Sequence, residues 1–292
     1  MRTIRGKIAV VTGAGSGIGQ ATCVALAKKG AIIVMVDLNK EGMQETATMV
    51  EKEGSSASSH TVDVTKLKQM ERLVKEVEDL HGRVHIVINN AGIGIMEEFA
   101  DGSLENFKKV IDVNLWGVVY GSKLFLPMLL KEKEGHIVNT SSLAGIISTP
   151  GMVSYGTSKF AVRGFSESLR AELKQHNIAV SSVHPGMINT NIAKTSECDD
   201  ATLHTKMVDW FERFGRPPSV VANKIVRAIE KNQMRILVTP ETYIMDVAKR
   251  IAPTLSEEVM GRMNSLFRKF ISPEYGQSKP EVVEAEKERE SA

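Results

Sequence analysis

Short apolar runs rich in β-branched residues recur along the chain, and stretches with helical periodicity separate them. The runs predict strands at residues 8–11, 32–36, 59–64, 84–88, 136–139, 178–183 and 235–238. Apolar residues at i, i+3 and i+4 predict helices between them, one of them from Gln20 to Lys29. Because strands that alternate with helices need crossover connections, we expect one doubly wound α/β domain over residues 1–240. Its parallel sheet should contain about seven strands, with helices on both faces.

Two segments depart from this alternation. Residues 191–218 are polar at first and then carry Trp210, Phe211 and Phe214, which predicts a lid over a bound ligand; a surface helical hairpin fits the same residues. Residues 241–272 predict a helical C-terminal extension, and residues 273–292 predict a disordered charged tail because they contain few apolar residues.

The apolar face predicted for this extension suggests two kinds of contact. Packing against the body or a partner subunit is favoured, and peripheral contact of residues 259–270 with a membrane surface is the alternative. The residues of the face are Val259, Met260, Met263, Leu266, Phe267 and Phe270.

Composition excludes several classes of function. With 37 basic and 35 acidic residues and only 5% aromatic residues, the 292-residue chain has neither the charge nor the stacking platform typical of nucleic-acid binding. Seven histidines form no ligand pattern, so we expect no metal. Two cysteines, the absence of a signal-like start and the absence of a run of roughly 18 apolar residues favour a soluble, cytoplasmic protein without a membrane span.

A glycine-rich turn follows the first predicted strand. It reads Thr12-Gly13-Ala14-Gly15-Ser16-Gly17-Ile18-Gly19 and leads into a helix, whose first N–H groups would face a bound anion. The spacing differs from Gly-x-Gly-x-x-Gly, yet the turn still predicts a site for a nucleotide pyrophosphate. The residues assigned to it are Gly13, Ser16, Gly17, Ile18 and Gly19.

Acidic residues after the next two strands suggest how a nucleotide would be recognised. Asp37 ends the second strand, where its carboxylate could accept both hydroxyls of an adenosine ribose. That charge would repel a 2′-phosphate, and Ser16 and Leu38 supply no cation, so NAD is favoured over NADP. Asp63 and Val64 could bind the adenine edge. Both aspartates are also compatible with a helix-capping role.

Two further asparagine-containing segments are candidates for the same site. Asn90, Ala91 and Gly92 close the fourth strand with small, turn-forming residues that would let the backbone pass close to a ribose or nicotinamide. Asn114 lies within a long amphipathic helix, where an amide lowers helix propensity unless its side chain has a role. An exposed helical asparagine is the alternative.

The clearest catalytic candidates are Tyr155 and Lys159, which share one face of a helix at i, i+4. Ser142 precedes them by 13 residues and directly follows the fifth strand. Oxidation of an alcohol requires removal of its O–H proton, and a phenol with pKa about 10 is a poor base near neutrality. A neighbouring ammonium, together with an oxidised nicotinamide, would lower that pKa, and Ser142 would hold the substrate oxygen.

Taken together, these motifs resemble the short-chain dehydrogenase/reductase family from about Gly6 to Pro240. The glycine turn resembles its TGxxxGxG motif, Asn89-Asn90-Ala91-Gly92 its NNAG motif, and Asn114, Ser142, Tyr155 and Lys159 its catalytic tetrad. The resemblance implies a Rossmann-type fold, with Tyr155 as general acid/base and Ser142 orienting the substrate. It further implies that Lys159 binds the nicotinamide ribose and that Asn114 holds a water. The segment resembling the nicotinamide contact begins with His184-Pro185-Gly186, and the residues assigned to the cofactor are Pro185, Gly186, Ile188 and Thr190.

We therefore expect an oxidoreductase that transfers a hydride between NAD and a largely apolar secondary alcohol or ketone. An NADPH-dependent ketone or 3-oxoacyl reductase is the alternative enzyme, and a catalytically silent dinucleotide sensor or scaffold is the alternative of another class. The family often assembles through a C-terminus that ends sooner than this one. A homodimer or homotetramer is expected, and the extension leaves its geometry open.

Overall fold

The computed structural model describes residues 3–192, 196–198 and 201–271. The strands are β1 Ile8–Thr12, β2 Ile32–Asp37, β3 Ala57–Thr61, β4 Ile86–Asn89, β5 Ile95–Met96, β6 Gly135–Thr140, β7 Ile178–His184, β8 Glu197–Cys198 and β9 Arg235–Leu237. The α-helices are α1 Gly17–Ala27, α2 Lys40–Lys52, α3 Leu67–His81, α4 Leu104–Ile111, α5 Gly117–Glu132, α6 Val153–Leu173, α7 Ala201–Phe214, α8 Pro218–Lys231, α9 Pro240–Ile251 and α10 Pro253–Ile271.

Seven of these strands form one parallel sheet in the order β3-β2-β1-β4-β6-β7-β9. Apolar side chains bury both of its faces. Helices α1, α2 and α8 cover one face, with Leu26, Met43 and Ile225 in the core. Helices α3 and α5 cover the other, with Leu73 and Phe125. The predicted doubly wound fold is therefore confirmed.

The strand order reverses direction between β1 and β4, which are neighbours in the sheet. The chain leaves β1 toward β2 on one side, and leaves β4 toward β6 on the other. In open α/β sheets this divergence opens a crevice at the carboxyl ends of the strands. The glycine turn follows β1 and Asn90 follows β4, so the fold brings these two predicted segments to the same crevice.

Several predicted boundaries were displaced, and the third strand and the start of the first helix show why. The third strand lies at Ala57–Thr61 rather than at 59–64, because Val62 and Val64 enter the core from the loop that follows this edge strand. The first helix begins at Gly17, not Gln20, because Ser16 has an extended backbone and accepts the first helical bond, from the Gln20 N–H.

A π-helical turn at Asp112–Trp116 connects α4 to α5, where the sequence predicts an uninterrupted helix around Asn114. The combined helix, Leu104–Glu132, is long and apolar enough to cross a membrane by length and composition. Length and composition are weak evidence for a membrane span, because core helices of soluble proteins have the same properties. Val118, Phe125 and Leu129 of this helix are buried in the protein.

The predicted lid contains elements that the sequence did not reveal. Strand β8 pairs in parallel with β5, so the described part of residues 191–218 is joined to the segment that follows β4. Helix α7 follows, and it is an amphipathic helix that leaves Trp210 and Phe214 exposed. Strands of two residues carry no readable periodicity, which is why β5 and β8 were missed.

The C-terminal extension folds as α9 and α10. On α10, Val259, Met263 and Leu266 are exposed, so the favoured packing of this face against the body does not occur at these three residues. Met260 is half-buried. The side chains of Phe267 and Phe270 and the predicted tail at 273–292 lie outside the described residues.

Candidate active site

A cavity of about 620 Å³ lies at the carboxyl edge of the main sheet, between the loops that follow its strands. Every predicted site residue lines it except Gly19 and Asn114. These lining residues are Gly13, Ser16, Gly17, Ile18, Asp37, Asp63, Val64, Asn90, Ala91, Gly92, Ser142, Tyr155, Lys159, Pro185, Gly186, Ile188 and Thr190. The fold therefore brings together the residues proposed for dinucleotide binding and those proposed for catalysis.

The glycine turn forms a cradle that side chains would fill. Gly13 and Gly17 have φ of +67° and +54°, values that L side chains rarely adopt. A Cβ on Gly19 would overlap the carbonyl oxygen of Gly13, so Gly19 lets α1 begin directly against the turn rather than lining the cavity. The first N–H groups of a helix have no intrahelical acceptor, which suits an anion at this point.

Hydrogen bonds hold this turn to the loop after β4 and to helix α2. The backbone N–H groups of Asn90 and Ala91 donate to Thr12 Oγ1 at 2.9 and 3.0 Å, and Asn90 Nδ2 donates to the Thr12 carbonyl oxygen at 3.2 Å. Thr46 Oγ1 donates to the Ala14 carbonyl oxygen at 2.9 Å. The turn is thus fixed by contacts within the protein itself.

Asp37 lies at the edge of the cavity with both carboxylate oxygens directed by backbone donors. The Gly15 N–H donates to Oδ2 at 2.8 Å, and the Asn39 N–H donates to Oδ1 at 2.9 Å. A carboxylate has about four lone-pair sites, so two remain for ribose hydroxyls. Helix α2 is capped by Asn39, whose side chain accepts from the Gly42 N–H, so Asp37 is not the cap.

Asp63 has a local structural role in addition to its place at the cavity. Its Oδ1 accepts from the Thr65 N–H at 2.9 Å and from Thr65 Oγ1 at 2.7 Å, which shapes the turn before α3. The N-cap position of α3 is Lys66, so Asp63 does not cap the helix itself. The sequence suggested that Asp63 either binds adenine or caps a helix. The contact with Thr65 is a third role, and adenine binding stays a prediction.

Ser142, Tyr155 and Lys159 meet where β6 ends and α6 passes over it. The Ser142 side chain lines the cavity together with Tyr155 and acts to lower the pKa of its phenol. Lys159 Nζ donates to the Thr140 carbonyl oxygen at 3.0 Å and lies 5.4 Å from the centre of the Tyr155 ring. Phenol, hydroxyl and ammonium thus converge on one side of the cavity, as the i, i+4 spacing and the position of Ser142 predict.

Burial governs the electrostatics of this group. It raises the pKa of Tyr155, and the Ser142 hydrogen bond opposes that shift. Burial lowers the pKa of Lys159 to about 8. The residues of the protein alone therefore do not produce the lowered pKa of Tyr155 that the sequence predicted. The positive charge of an oxidised nicotinamide would be the second influence that lowers this pKa.

Asn114 lies behind the cavity wall, fully buried, so it is not an exposed helical asparagine. Its Oδ1 accepts from the Ile93 N–H at 2.8 Å, and its Nδ2 donates to the Ile93 carbonyl oxygen at 2.9 Å and to Ser158 Oγ at 3.1 Å. The side chain thus makes hydrogen bonds that explain an amide at this point of the helix, and its proposed part in holding a water stays a prediction. These hydrogen bonds tie the π-helical turn to the loop after β4 and to α6.

His184 holds Ser142 in place, a contact that the sequence did not indicate. Its Nδ1 lies 3.1 Å from the Ser142 carbonyl oxygen, and its Nε2 lies 3.0 Å from Ser182 Oγ. Burial lowers the pKa of His184 to about 4, so the imidazole is neutral near pH 7 and can donate from one nitrogen and accept at the other.

Part of the remaining cavity wall could not be read from the sequence, because Thr149, Met152 and Glu241 come from segments far apart in the chain. Ile192, Met207 and Phe211 also line the cavity, and they belong to the predicted lid. Of the lid aromatics, only Phe211 lines the cavity. Phe211 lies on the same face of α7 as Met207, four residues before it. Trp210 and Phe214, which are also four residues apart, lie on another face of the helix.

No metal centre is evident in the part of the chain that the structure describes. Within it, no three His, Cys, Asp or Glu side chains gather closely enough to hold an ion. His85 instead accepts from the Ile8 N–H through Nδ1 and lies beside Glu132, at the opposite edge of the sheet.

The buried ammonium of Lys159 should make the ligand-free protein less stable. Between pH 8 and about 10.4, the folded state holds fewer protons here than the unfolded state, so its stability rises with pH through this window. Below pH 8 the full cost remains, on the order of 3 kcal/mol. We expect Lys159→Met to raise the free energy of unfolding at pH 7 by about 2 kcal/mol, measured by urea denaturation without cofactor.

The same measurement on Lys123→Met, which removes an exposed lysine of α5, is the control and should show little change. The advantage of Lys159→Met should shrink as the pH approaches 10. A difference that does not depend on pH would contradict burial of the charge as its cause.

Comparison with known proteins places these observations in a family. The family model described as short chain dehydrogenase matches residues 7–201. The chain belongs to the short-chain dehydrogenase family. A Mycobacterium tuberculosis protein named as an oxidoreductase, SadH, is 37% identical over 255 residues, which cover 86% of this chain and 92% of SadH.

Solved structures of the short-chain dehydrogenase family agree with the fold. A Burkholderia phymatum short-chain dehydrogenase/reductase in complex with NAD aligns with a TM-score of 0.81 and 28% identity, covering 88% of this chain and 97% of that one. A metagenomic short-chain oxidoreductase in complex with NADP aligns at 0.68 and 28% identity, covering 81% and 98%. The protein is thus an oxidoreductase of a family that uses NAD or NADP.

Proposed function

We propose that the protein transfers a hydride between NAD and a largely apolar secondary alcohol or ketone, with Tyr155 as general acid/base. One observation carries this proposal: Tyr155, Ser142 and the buried Lys159 border the same cavity as the glycine cradle and Asp37. A catalytically silent dinucleotide sensor would need the cofactor-binding residues but not Ser142, Tyr155 and Lys159.

The residues present fit a dinucleotide. The cradle of Gly13 and Gly17 at the start of α1 would hold the pyrophosphate, and Asp37 would accept the adenosine ribose hydroxyls. Lys159 would donate to the second ribose. When bound, the cofactor supplies a nicotinamide carbon that accepts or returns a hydride.

The protein's own residues would handle the proton. In the oxidative direction, Tyr155 in its phenolate form would take the proton of the alcohol O–H while the hydride passes from the carbinol carbon to the bound cofactor. Ser142 donates to the same oxygen and holds it near the phenol. In the reductive direction, Tyr155 returns a proton to the carbonyl oxygen. His184 acts through Ser142 by fixing its backbone, and is a positioning residue.

The substrate side of the cavity supports an apolar alcohol or ketone. Met96, Met152, Met207 and Phe211 line it, and Leu143 faces it beside Ser142. Methionines adapt to irregular apolar shapes, which suits a wall for hydrocarbon rather than for a sugar. The polar groups at Ser142 and Tyr155 then mark where the reacting oxygen would lie.

NADP is the second candidate cofactor, and membership of the family alone does not decide between NAD and NADP. The related structure in complex with NADP supports it, whereas Asp37 and the lack of a cation at Ser16 and Leu38 support NAD. An NADPH-dependent ketone or oxoacyl reductase stays the alternative enzyme. The cytoplasmic location and the homodimer or homotetramer remain predictions.

The direct test follows nicotinamide absorbance with both cofactors against steroids, retinoids, short diols, sugars and hydroxyacyl compounds. We expect turnover with apolar secondary alcohols or their ketones and with NAD or NADH. Tight cofactor binding without turnover of any compound would favour the sensor. Turnover confined to sugars would contradict the apolar substrate class.

A further inference from the structure

Helices α9 and α10 each present an apolar face to solvent. Side chains along them are between 44% and 78% exposed and are spaced three or four residues apart, so those on each helix share one side. This apolar stripe consists of Ile244, Val247, Ile251, Leu255, Val259, Met263 and Leu266. Contiguous exposed apolar surface of this kind marks an interaction site more often than isolated exposed leucines do.

Acidic residues on the other sides of these helices attach them to the body. Asp246 binds Arg235 at 2.7 Å, and Glu257 binds Ser148 and Lys249. Glu241 accepts from the Met187 N–H at 3.0 Å. The extension is thus anchored through carboxylates, while its apolar stripe faces outward.

One of these anchors belongs to the wall of the substrate cavity, because Glu241 and Met187 both line it. A second lies next to the wall, because Ser148 directly precedes Thr149, which lines the cavity. The helices that carry the apolar stripe are therefore hydrogen-bonded to the loops around the cavity.

The charge along the sequence of α10 becomes basic toward its C-terminal end, where Arg262 is exposed. Glu258 is exposed and acidic, but residues 261–271 contain Arg262, Arg268 and Lys269 and no acidic residue. Apolar residues interleaved with lysine and arginine are typical of helices that lie in the plane of an anionic lipid interface. This charge pattern favours a lipid head-group region over a neutral protein groove.

We propose that α9 and α10 dock the protein on an anionic phospholipid surface, with the apolar stripe in the interface and Arg262 at the head groups. The cavity would then lie beside the bilayer and draw its substrate from it. This second statement rests on the proposed function, since it requires an apolar alcohol or ketone that partitions into lipid.

The test is sedimentation of the full chain with vesicles of phosphatidylcholine, with and without phosphatidylglycerol. We expect binding to the anionic vesicles that weakens as salt is raised. Leu255→Glu should lower the partition coefficient about tenfold or more, because it puts a charge into the apolar stripe. Its first-turn position on α10 tolerates glutamate, since negative charge near a helix N-terminus is favourable.

Leu67→Glu is the matched control, because Leu67 is also exposed in the first turn of a helix, α3. It should bind vesicles as the unchanged protein does. Arg262→Gln should lower binding to anionic vesicles about fivefold and leave binding to neutral vesicles unchanged.

Three results would overturn the proposal: no binding by the unchanged protein, equal effects of Leu255→Glu and Leu67→Glu, or dissociation of a dimer by Leu255→Glu without vesicle binding. The last, seen by analytical ultracentrifugation, would assign the stripe to a second copy of the chain. Turnover of a water-soluble ketone is measured without vesicles, so failure of the proposed function is seen separately.

Discussion

Tyr155→Phe is expected to lower kcat by about 10³-fold while leaving NAD affinity unchanged, because it removes only the hydroxyl that exchanges the proton. The phenyl ring keeps the contact beside Lys159, which lies 5.4 Å from its centre. Steady-state rates on the best substrate of the panel and a binding titration with NAD measure the two quantities separately. A variant with an unchanged rate would refute the assigned role.

Tyr120→Phe makes the same chemical change on α5, where the ring packs against Trp116, and should leave the rate unchanged. Ser142→Ala adds a test of the electrostatics. The Ser142 hydrogen bond lowers the pKa of Tyr155, so its removal should shift the pH at which oxidation becomes fast upward. A structural defect alone would lower the rate at every pH without moving that midpoint.

The second large effect concerns cofactor choice. Asp37→Asn combined with Leu38→Arg should change the ratio of NADP to NAD affinity by about 10²-fold in favour of NADP. The first change removes a charge that repels a 2′-phosphate, and the second adds a guanidinium that binds it. Leu38 is 63% exposed at the cavity edge, so an arginine there stays in contact with water. Binding titrations with both cofactors measure the ratio.

Leu38→Met, which adds no charge, is the control and should leave the ratio unchanged. The single Leu38→Arg variant separates the added attraction from the lost repulsion. It also leaves intact the hydrogen bonds that Asp37 accepts from the Gly15 and Asn39 N–H groups. If the unchanged protein binds NADP more tightly than NAD, the role given to Asp37 is wrong.

The parallel sheet was predictable because its central strands are buried on both faces. Strands β1 and β7 read as continuous apolar or small-residue runs, and their predicted positions agree with the structure to within a residue at either end. Strand β3 was displaced because it is an edge strand with polar residues, and the apolar residues beside it belong to the following loop. The local sequence pattern shows which residues are buried. Buried residues are also strand residues only in the interior of the sheet, whereas at its edge they can belong to a loop.

The candidate site was predictable where residues follow strands directly or share a helix face. Ser142 follows β6, and Tyr155 and Lys159 are one helical turn apart, so local spacing was sufficient. The walls formed by Met152 and Glu241 were not predictable, because tertiary packing alone brings these distant segments together. The contact of His184 with Ser142 was missed for the same reason, since it comes from the neighbouring strand.

The hydrogen bonds that fix the glycine turn have a consequence for the thermodynamics of ligand binding. Thr12, Thr46, Asn90 and Asp37 already restrain the backbone that would receive the pyrophosphate. Little conformational entropy is then left to lose when a dinucleotide binds there, so more of the interaction energy appears as affinity. The turn is preorganised, and the ordering that does accompany binding falls on parts of the cavity that lack such restraints.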